Sequence, residues 1–243
     1  VYGVHALQSL LDRGEAPREL WVQQGAGSRL KELITQAQAH GARVKEQPRD
    51  LLDQLTQGAA HQGVVAFCPP LTPEGEESLW LKLRAWPSNT PPLLLILDGV
   101  TDVHNFGACL RSADAAGAHG VIVAKDKAAP LNATVRKVAC GAAEVVPVYQ
   151  VTNLARTLAK LKDAGVWITG TAGEAEASVF DIDMTGPTAL VMGAEGKGMR
   201  RLTREACDNL AKLPMAGEVS SLNVSVATGI CLFEAVRQRQ LAS

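Results

Sequence analysis

From residue 93 onward, short apolar runs return at intervals: Leu93–Leu97, Val121–Ala124, Val145–Val148, Val166–Thr169, Ala189–Met192 and Leu210–Pro214. Helical patterns separate most of them. This β-α-β rhythm constrains the fold more than any other feature, because it implies an α/β domain with a mostly parallel sheet covered by helices on both faces. The final stretch, Leu222 to Gln240, reads as one long helix, apolar at first and basic at its end (Arg237, Arg239), as a helix dipole favours.

The front of the chain carries a fainter alternation. Helix-like stretches (His5–Leu11, Leu30–His40, Arg49–Leu55) interleave with strand-like ones (Glu19–Val22, Gly63–Phe67), predicting a small α/β unit over residues 1–68. Six of the twelve prolines fall between 69 and 92, beside the acidic Glu74, Glu76 and Glu77, which reads as an interdomain linker before a domain over 93–243. A length of 243 residues suits one or two domains.

Composition narrows the function classes. Hydrophobic residues make up 47% and charged residues 20%, a globular balance. With 24 Lys plus Arg against 25 Asp plus Glu, the net charge is −1, so a polyanionic partner must be held by local patches. Five scattered cysteines (Cys68, Cys109, Cys140, Cys207, Cys231) form no C-x-x-C pair, and the five histidines show no metal-ligand spacing. Buried thiols in a reducing cytosol are expected, with no metal. The longest strongly apolar stretch, Leu93–Leu97, is far below the ~18 residues of a membrane span, so no membrane partner is expected. The chain opens at Val1 rather than Met, so a few leading residues are expected to precede it.

Ligands of parallel α/β sheets sit outside the carboxyl ends of the strands. Three places there carry candidate chemistry. In the first, Asp98 to Arg111, Gly107 permits close approach, and Asn105 and Arg111 lie less than two helical turns apart. Asn105 as a helix cap and Arg111 as a surface ion-pair partner fit equally well. His104 is a lesser candidate beside Asn105. The second place, Gly193-Ala-Glu195-Gly196-Lys-Gly198, puts three glycines in six residues after a strand. Such a loop wraps a ligand with its backbone amides, although a plain tight turn has the same composition. Its G-x-x-G-x-G order fits neither the dinucleotide fingerprint nor the P-loop. Glu195 buried there needs a cation, and Arg111 is the obvious one. Arg200, Arg201 and Arg204 follow as either a ligand patch or an exposed helix face. In the third place, Ser220-Ser221-Leu222-Asn223-Val224-Ser225, capping explains one serine but not Asn223 beside a second.

In this order, N105-x-G107-x-x-x-R111, M192-G-A-E195-G-x-G198 and S221-L-N223-V-S225 closely resemble the motifs of the SpoU-type (SPOUT superfamily) RNA ribose 2′-O-methyltransferases. Residues Leu93 to Gln240 carry the resemblance. Val1-Tyr-Gly-Val-His-Ala-Leu and His61-Gln-Gly-Val look like the family's small ribosomal-protein-like substrate domain. The wording of Leu95–Gly117 and Ser220–Glu234 is most similar to members that methylate a guanosine of 23S rRNA. The resemblance implies a C-terminal trefoil knot, S-adenosyl-L-methionine as cofactor, 23S rRNA as partner, a homodimer and a cytoplasmic location. It implies cofactor-binding loops at Thr171, Ala172 and Gly173, at Gly193, Glu195 and Gly196, and at Leu213 and Met215, closed by Leu222 and Asn223. The residues matching the catalytic set are Asn105, Arg111, Glu195, Ser221 and Asn223.

The family's proposed activator of the ribose hydroxyl matches Arg111. A guanidinium with a pKa above ~12 is a poor base, so Arg111 is expected to clamp the adjacent phosphate and stabilise the developing alkoxide. Glu195 is expected to hold Arg111, Asn105 and Asn223 to orient the nucleotide, and Ser221 to cap the last helix while lining the site. Two other classes share parts of this pattern. A nicotinamide enzyme has the same rhythm but needs another glycine order, and a non-catalytic RNA-binding module would need only the front domain.

Overall fold

A computed structural model describes residues 1–12, 14–25, 27–87 and 89–242. The chain divides into two compact units, residues 1–71 and 72–243. The first holds α1 (Val4–Asp12), β1 (Glu19–Gln23), α2 (Ser28–Ala39), β2 (Arg43–Gln47), α3 (Arg49–Leu55) and β3 (Val64–Phe67). Its three strands lie in the order β2-β1-β3, with β1 parallel to β2 and antiparallel to β3. Leu7, Leu11, Leu20, Val22, Leu33 and Val64 form its core. Sequence pattern alone misses β2, because Arg-Val-Lys-Glu-Gln is an edge strand with one face in water, and charge on such an edge discourages further pairing.

The second unit runs β4 (Glu74–Gly75), α4 (Glu76–Arg84), β5 (Leu93–Asp98), α5 (Val103–Ala115), β6 (Gly120–Ala124), α6 (Ala133–Val138), α7 (Ala142–Val145), β7 (Val148–Val151), α8 (Leu154–Asp163), β8 (Trp167–Thr171), β9 (Ala177–Ser178), β10 (Thr188–Gly193), α9 (Arg201–Glu205), β11 (Asn209–Lys212) and α10 (Val224–Leu241). The strands form one eight-stranded sheet, β4-β7-β6-β5-β10-β8-β11-β9, in which every pair is parallel. All six residues of β5 are buried, as a strand covered on both faces requires. Leu94, Ile96, Ile122, Ala189 and Val191 pack on one face with Leu158 and Leu161 of α8.

Two expectations need correction. The segment 69–92 is not a plain linker. Its prolines gather at the two ends and leave Glu74–Trp86 free to order as β4 and α4. Helix α4 places Glu76 and Glu77 in its first turn and Lys82 and Arg84 in its last, and buries Leu79 at 1% exposure. The run Val145–Val148 is not one strand either. Val145 ends α7, and β7 begins only at Val148.

Sheet order positions the site. From β5 the chain steps outward through β6 to β7, then returns on the other side with β8, and β10 enters between β5 and β8. Gly193 at the end of β10 is thereby the register partner of Asp98 at the end of β5. This is a topological switch point, where parallel sheets open a crevice at their carboxyl edge. At the opposite edge, Arg239 of α10 donates to the carbonyls of Pro91, Pro92, Met184 and Gly186, tying the last helix to the loops that lead into β5 and β10.

Candidate active site

The loops leaving β5, β8, β10 and β11 line two adjacent cavities. The first encloses about 420 Å³ and is walled by residues 171–174 after β8, 192–199 after β10, 211–213 with Met215 after β11, and Ser220, Ser221 and Leu222 before α10. The second encloses about 510 Å³ and is walled by 98–102 after β5, Asn105, Lys127, and residues 194, 195, 197, 198 and 200. Both volumes suit a small-molecule ligand. The glycine-dense loop is the partition between them.

That loop is folded tightly on itself. Ala194 and Gly198 exchange both backbone hydrogen bonds, at 3.2 and 2.8 Å. The turn needs positive φ at Gly196 (+73°) and Gly198 (+66°), a region glycine enters without steric cost. Gly193 is required for another reason: a Cβ there would stand 2.3 Å from the carbonyl carbon of Gly198 and 2.4 Å from the Met199 nitrogen. Gly107, by contrast, serves helix packing rather than a ligand. A Cβ on it would meet Val138 of α6 at 2.7 Å and the Val135 carbonyl oxygen at 2.9 Å.

Three of the expected residues converge on one point. Glu195 Oε1 accepts from Asn223 Nδ2 at 2.6 Å, from the Val224 amide at 3.1 Å and from Asn105 Nδ2 at 3.4 Å. Asn223 Nδ2 also donates to Asn105 Oδ1 at 2.9 Å. Asn105 is not a cap. Asp102 caps α5 by accepting the Asn105 amide at 2.8 Å, which leaves the Asn105 side chain free for the site. The cap of α10 is Asn223 rather than the expected Ser221, since its Oδ1 accepts the Ser225 amide at 2.9 Å. Ser221 lies before the helix, exposed on the wall of the first cavity.

The expected Glu195–Arg111 ion pair is absent among the described residues. Six helical residues turn a side chain by about 600°, so Arg111 points about 120° away from Asn105. Its Nη1 lies 3.6 Å from the Cys140 thiol, in the turn after α6. Glu195 is not buried but exposed, and neutral N–H donors hold it in place of a cation. The arginine cluster is shared among three carboxylates. Arg200 donates its amide to Asp98 at 2.7 Å and sets Nε 3.1 Å from the other Asp98 oxygen, Arg201 pairs with Glu205, and Arg204 pairs with Glu174 on the first cavity's rim.

All the residues expected at the cofactor except Asn223 line the first cavity: Thr171, Ala172, Gly173, Gly193, Glu195, Gly196, Leu213, Met215 and Leu222. Asn223 hydrogen-bonds Glu195 on that wall and lies between Leu222 and Val224, which line the cavity. Sequence reasoning missed Asp98 and Asp102 as site residues. An Asp three residues before Asn105 is a recognisable cap signal, but the Asp98–Arg200 contact spans 102 residues and leaves no local trace. Among the described residues no cluster of His, Cys, Asp and Glu is arranged to hold a metal ion.

Known proteins resemble this chain along nearly its whole length. The model of the SpoU rRNA Methylase family matches residues 92–233, and that of the RNA 2′-O ribose methyltransferase substrate-binding domain matches residues 1–74. The 23S rRNA (guanosine-2′-O-)-methyltransferase RlmB of Pseudomonas aeruginosa is 59% identical over 98% of this chain and 96% of its own length. RlmB of Escherichia coli K12 is 56% identical over 98% of each. Among solved structures, the SpoU methyltransferase AviRb of Streptomyces viridochromogenes, in complex with AdoMet, superposes with a TM-score of 0.80 at 28% identity, covering 99% of this chain and 90% of that one. The family model, the near full-length relatives and the shared fold place this chain in the SpoU rRNA methylase family.

Proposed function

We propose that this protein transfers a methyl group from S-adenosyl-L-methionine to the ribose 2′-hydroxyl of a guanosine in 23S rRNA. The observation that carries this reading is the Asn105–Glu195–Asn223 cluster at the partition between two cavities, one suited to the cofactor and one to a nucleotide. The family resemblance and the RlmB relatives supply the substrate.

The first cavity fits the cofactor by its chemistry. Leu213, Met215 and Leu222 offer apolar walls, the backbone of 171–173 and 193–196 offers amides and carbonyls, and Glu174 and Arg204 offer charges at the rim. When bound, S-adenosyl-L-methionine supplies the electrophilic methyl group. The chain's own residues supply position. Asn105, Asn223 and the Val224 amide all hold one Glu195 oxygen, so the other is left for the ribose hydroxyl. Collinear placement of hydroxyl and methyl is worth a large share of the barrier. Arg111, exposed on α5, is assigned to a substrate phosphate, which the planar guanidinium fork matches in charge and geometry.

In the same reading, residues 1–71 bind RNA, the second unit carries out the transfer, the C-terminal unit holds a trefoil knot, and the protein works as a cytoplasmic homodimer without a metal. Helix α10 supports the dimer. Its first half, Val224–Phe233, is apolar on nearly every side yet leaves Val226 at 51% and Phe233 at 49% exposure, an arrangement that calls for a covering surface.

Tritiated-methyl transfer to unmodified large-subunit rRNA, with primer-extension mapping, tests the proposal. One 2′-O-methylguanosine in 23S rRNA is expected. Bound cofactor without transfer to rRNA overturns it.

A further inference from the structure

The second cavity has a character of its own. It sits beside the Asn105–Glu195 contact, across the 194–198 partition from the first cavity, and it presents acceptors and donors together. Asp98 is buried and committed to the protein: Oδ2 accepts the Arg200 amide, and Oδ1, which receives no hydrogen bond among the described residues, is paired in charge with the Arg200 guanidinium at 3.1 Å. Asp102 is only half used, because Oδ1 takes the Asn105 amide while Oδ2 receives no hydrogen bond among the described residues. Opposite α5, Lys127 lines the same space and forms no ion pair among the described residues. Its backbone is held at φ +59°, a conformation that costs a non-glycine residue free energy and that collects at functional sites.

Of the nucleobases, guanine best complements this wall. Its edge places N1–H and the 2-amino group, both donors, next to the O6 and N7 acceptors. A carboxylate oxygen accepts from the first pair and an ammonium donates to the second. Adenine reverses the polarity at both points. It offers Asp102 no N1–H and sets an amino group where Lys127 needs an acceptor. RNA-modifying enzymes read unstacked bases in this manner, with the target turned out of its surroundings.

Resting on the function proposed above, we infer that the second cavity is the guanine-reading pocket. Asp102 Oδ2 accepts from N1–H and the 2-amino group, and Lys127 donates to O6, so that the attached ribose lies at Glu195. Specificity for guanosine then resides in Asp102 and Lys127, outside the residues that hold the cofactor.

The test uses the intact protein and an rRNA fragment spanning the mapped nucleotide, made with guanosine, inosine or adenosine at that position. Inosine lacks only the 2-amino group. Wild-type protein is expected to favour guanosine over inosine at least tenfold in kcat/KM, since a site built around a hydrogen bond rejects the analogue lacking it. Asp102→Asn keeps the α5 cap, because Asn caps as well as Asp, but loses the free acceptor. It is expected to lower kcat/KM for guanosine tenfold or more and to bring the guanosine-to-inosine ratio near one. Lys127→Met is expected to narrow the preference for guanosine over adenosine. Cofactor Kd and Tm should stay at wild-type values in both variants. Equal use of the three RNAs by wild-type protein, or a wild-type guanosine-to-inosine ratio in Asp102→Asn, overturns the inference. Failure of wild-type protein to methylate the guanosine RNA overturns instead the function on which it rests.

Discussion

Asn223 Nδ2 stands 2.9 Å from Asn105 Oδ1, although 118 residues separate them along the chain. The same Asn223 caps α10 through Oδ1, so one side chain starts the last helix and, through its amide nitrogen, holds Glu195. The two roles can be separated. Asn223→Asp keeps a capping oxygen but loses the donor and sets a carboxylate against Glu195. It is expected to retain Tm and lose methyl transfer by at least tenfold. Asn223→Ala is expected to lose both, with a cap cost of about 1 kcal/mol. Thermal melts beside transfer rates check the pair.

Gly193 faces the backbone of Gly198 and Met199 at distances no Cβ tolerates, whereas Gly196 faces open space and needs only its positive φ. Gly193→Ala is expected to reshape the partition between the cavities, abolish measurable cofactor binding and cost about 2 kcal/mol or more of stability. Gly196→Ala is expected to cost about 1 to 2 kcal/mol and to keep the fold of the loop. Calorimetric titration with S-adenosyl-L-methionine distinguishes them. Equal cofactor affinity in both variants contradicts the geometry.

Among the described residues Arg111 lines neither cavity wall, and its Nη1 lies 3.6 Å from the Cys140 thiol. Arg111→Ala is therefore expected to abolish methylation while leaving cofactor Kd within about twofold of wild type. Weak cofactor binding in that variant would show the assignment to be wrong. RNA affinity is expected to fall steeply with added salt despite the net charge of −1, because phosphate contacts release counterions. A flat salt response argues against phosphate clamping as the main anchor.

Burial pushes the Cys109 thiol up to about 11 from its ordinary 9.0, with the hydrogen bond between Cys109 and Thr228 partly opposing the shift. It pushes Cys207 and Cys231 up to about 12. A raised thiol pKa means that the unfolded chain ionises first. The stability contribution is thus complete below about pH 9 and is lost as pH rises from there towards the folded-state values of about 11 to 12. The loss is at most about 1.4 kcal/mol per thiol for each pH unit. Denaturant melts at pH 8, 9 and 10 are expected to show a flat and then falling stability. Native alkylation at pH 8 is expected to reach exposed Cys140 and to spare Cys109 and Cys231.

Much of the architecture is legible without coordinates. Leu93–Leu97 and Ala189–Met192 announce central strands because a strand covered on both faces has no polar side to show. The glycine-dense turn and the order of the three motifs likewise declare a ligand loop and a family. Less visible were β2, whose charges belong to an edge, and α4, whose single buried leucine sits among proline-flanked polar residues.

Residue chemistry and local periodicity, then, settle which elements exist and which side chains are able to act. Partnership is another matter. Arg111 and Glu195 look like a natural pair on paper, and helical geometry turns them apart. Asn105, Asn223 and Glu195 are grouped on paper by the family resemblance alone, and the insertion of β10 between β5 and β8 is what brings them within hydrogen-bonding distance. Spacing along a chain specifies direction only within one helix or strand. Across 90 or 118 residues, sheet order and packing alone decide which groups meet.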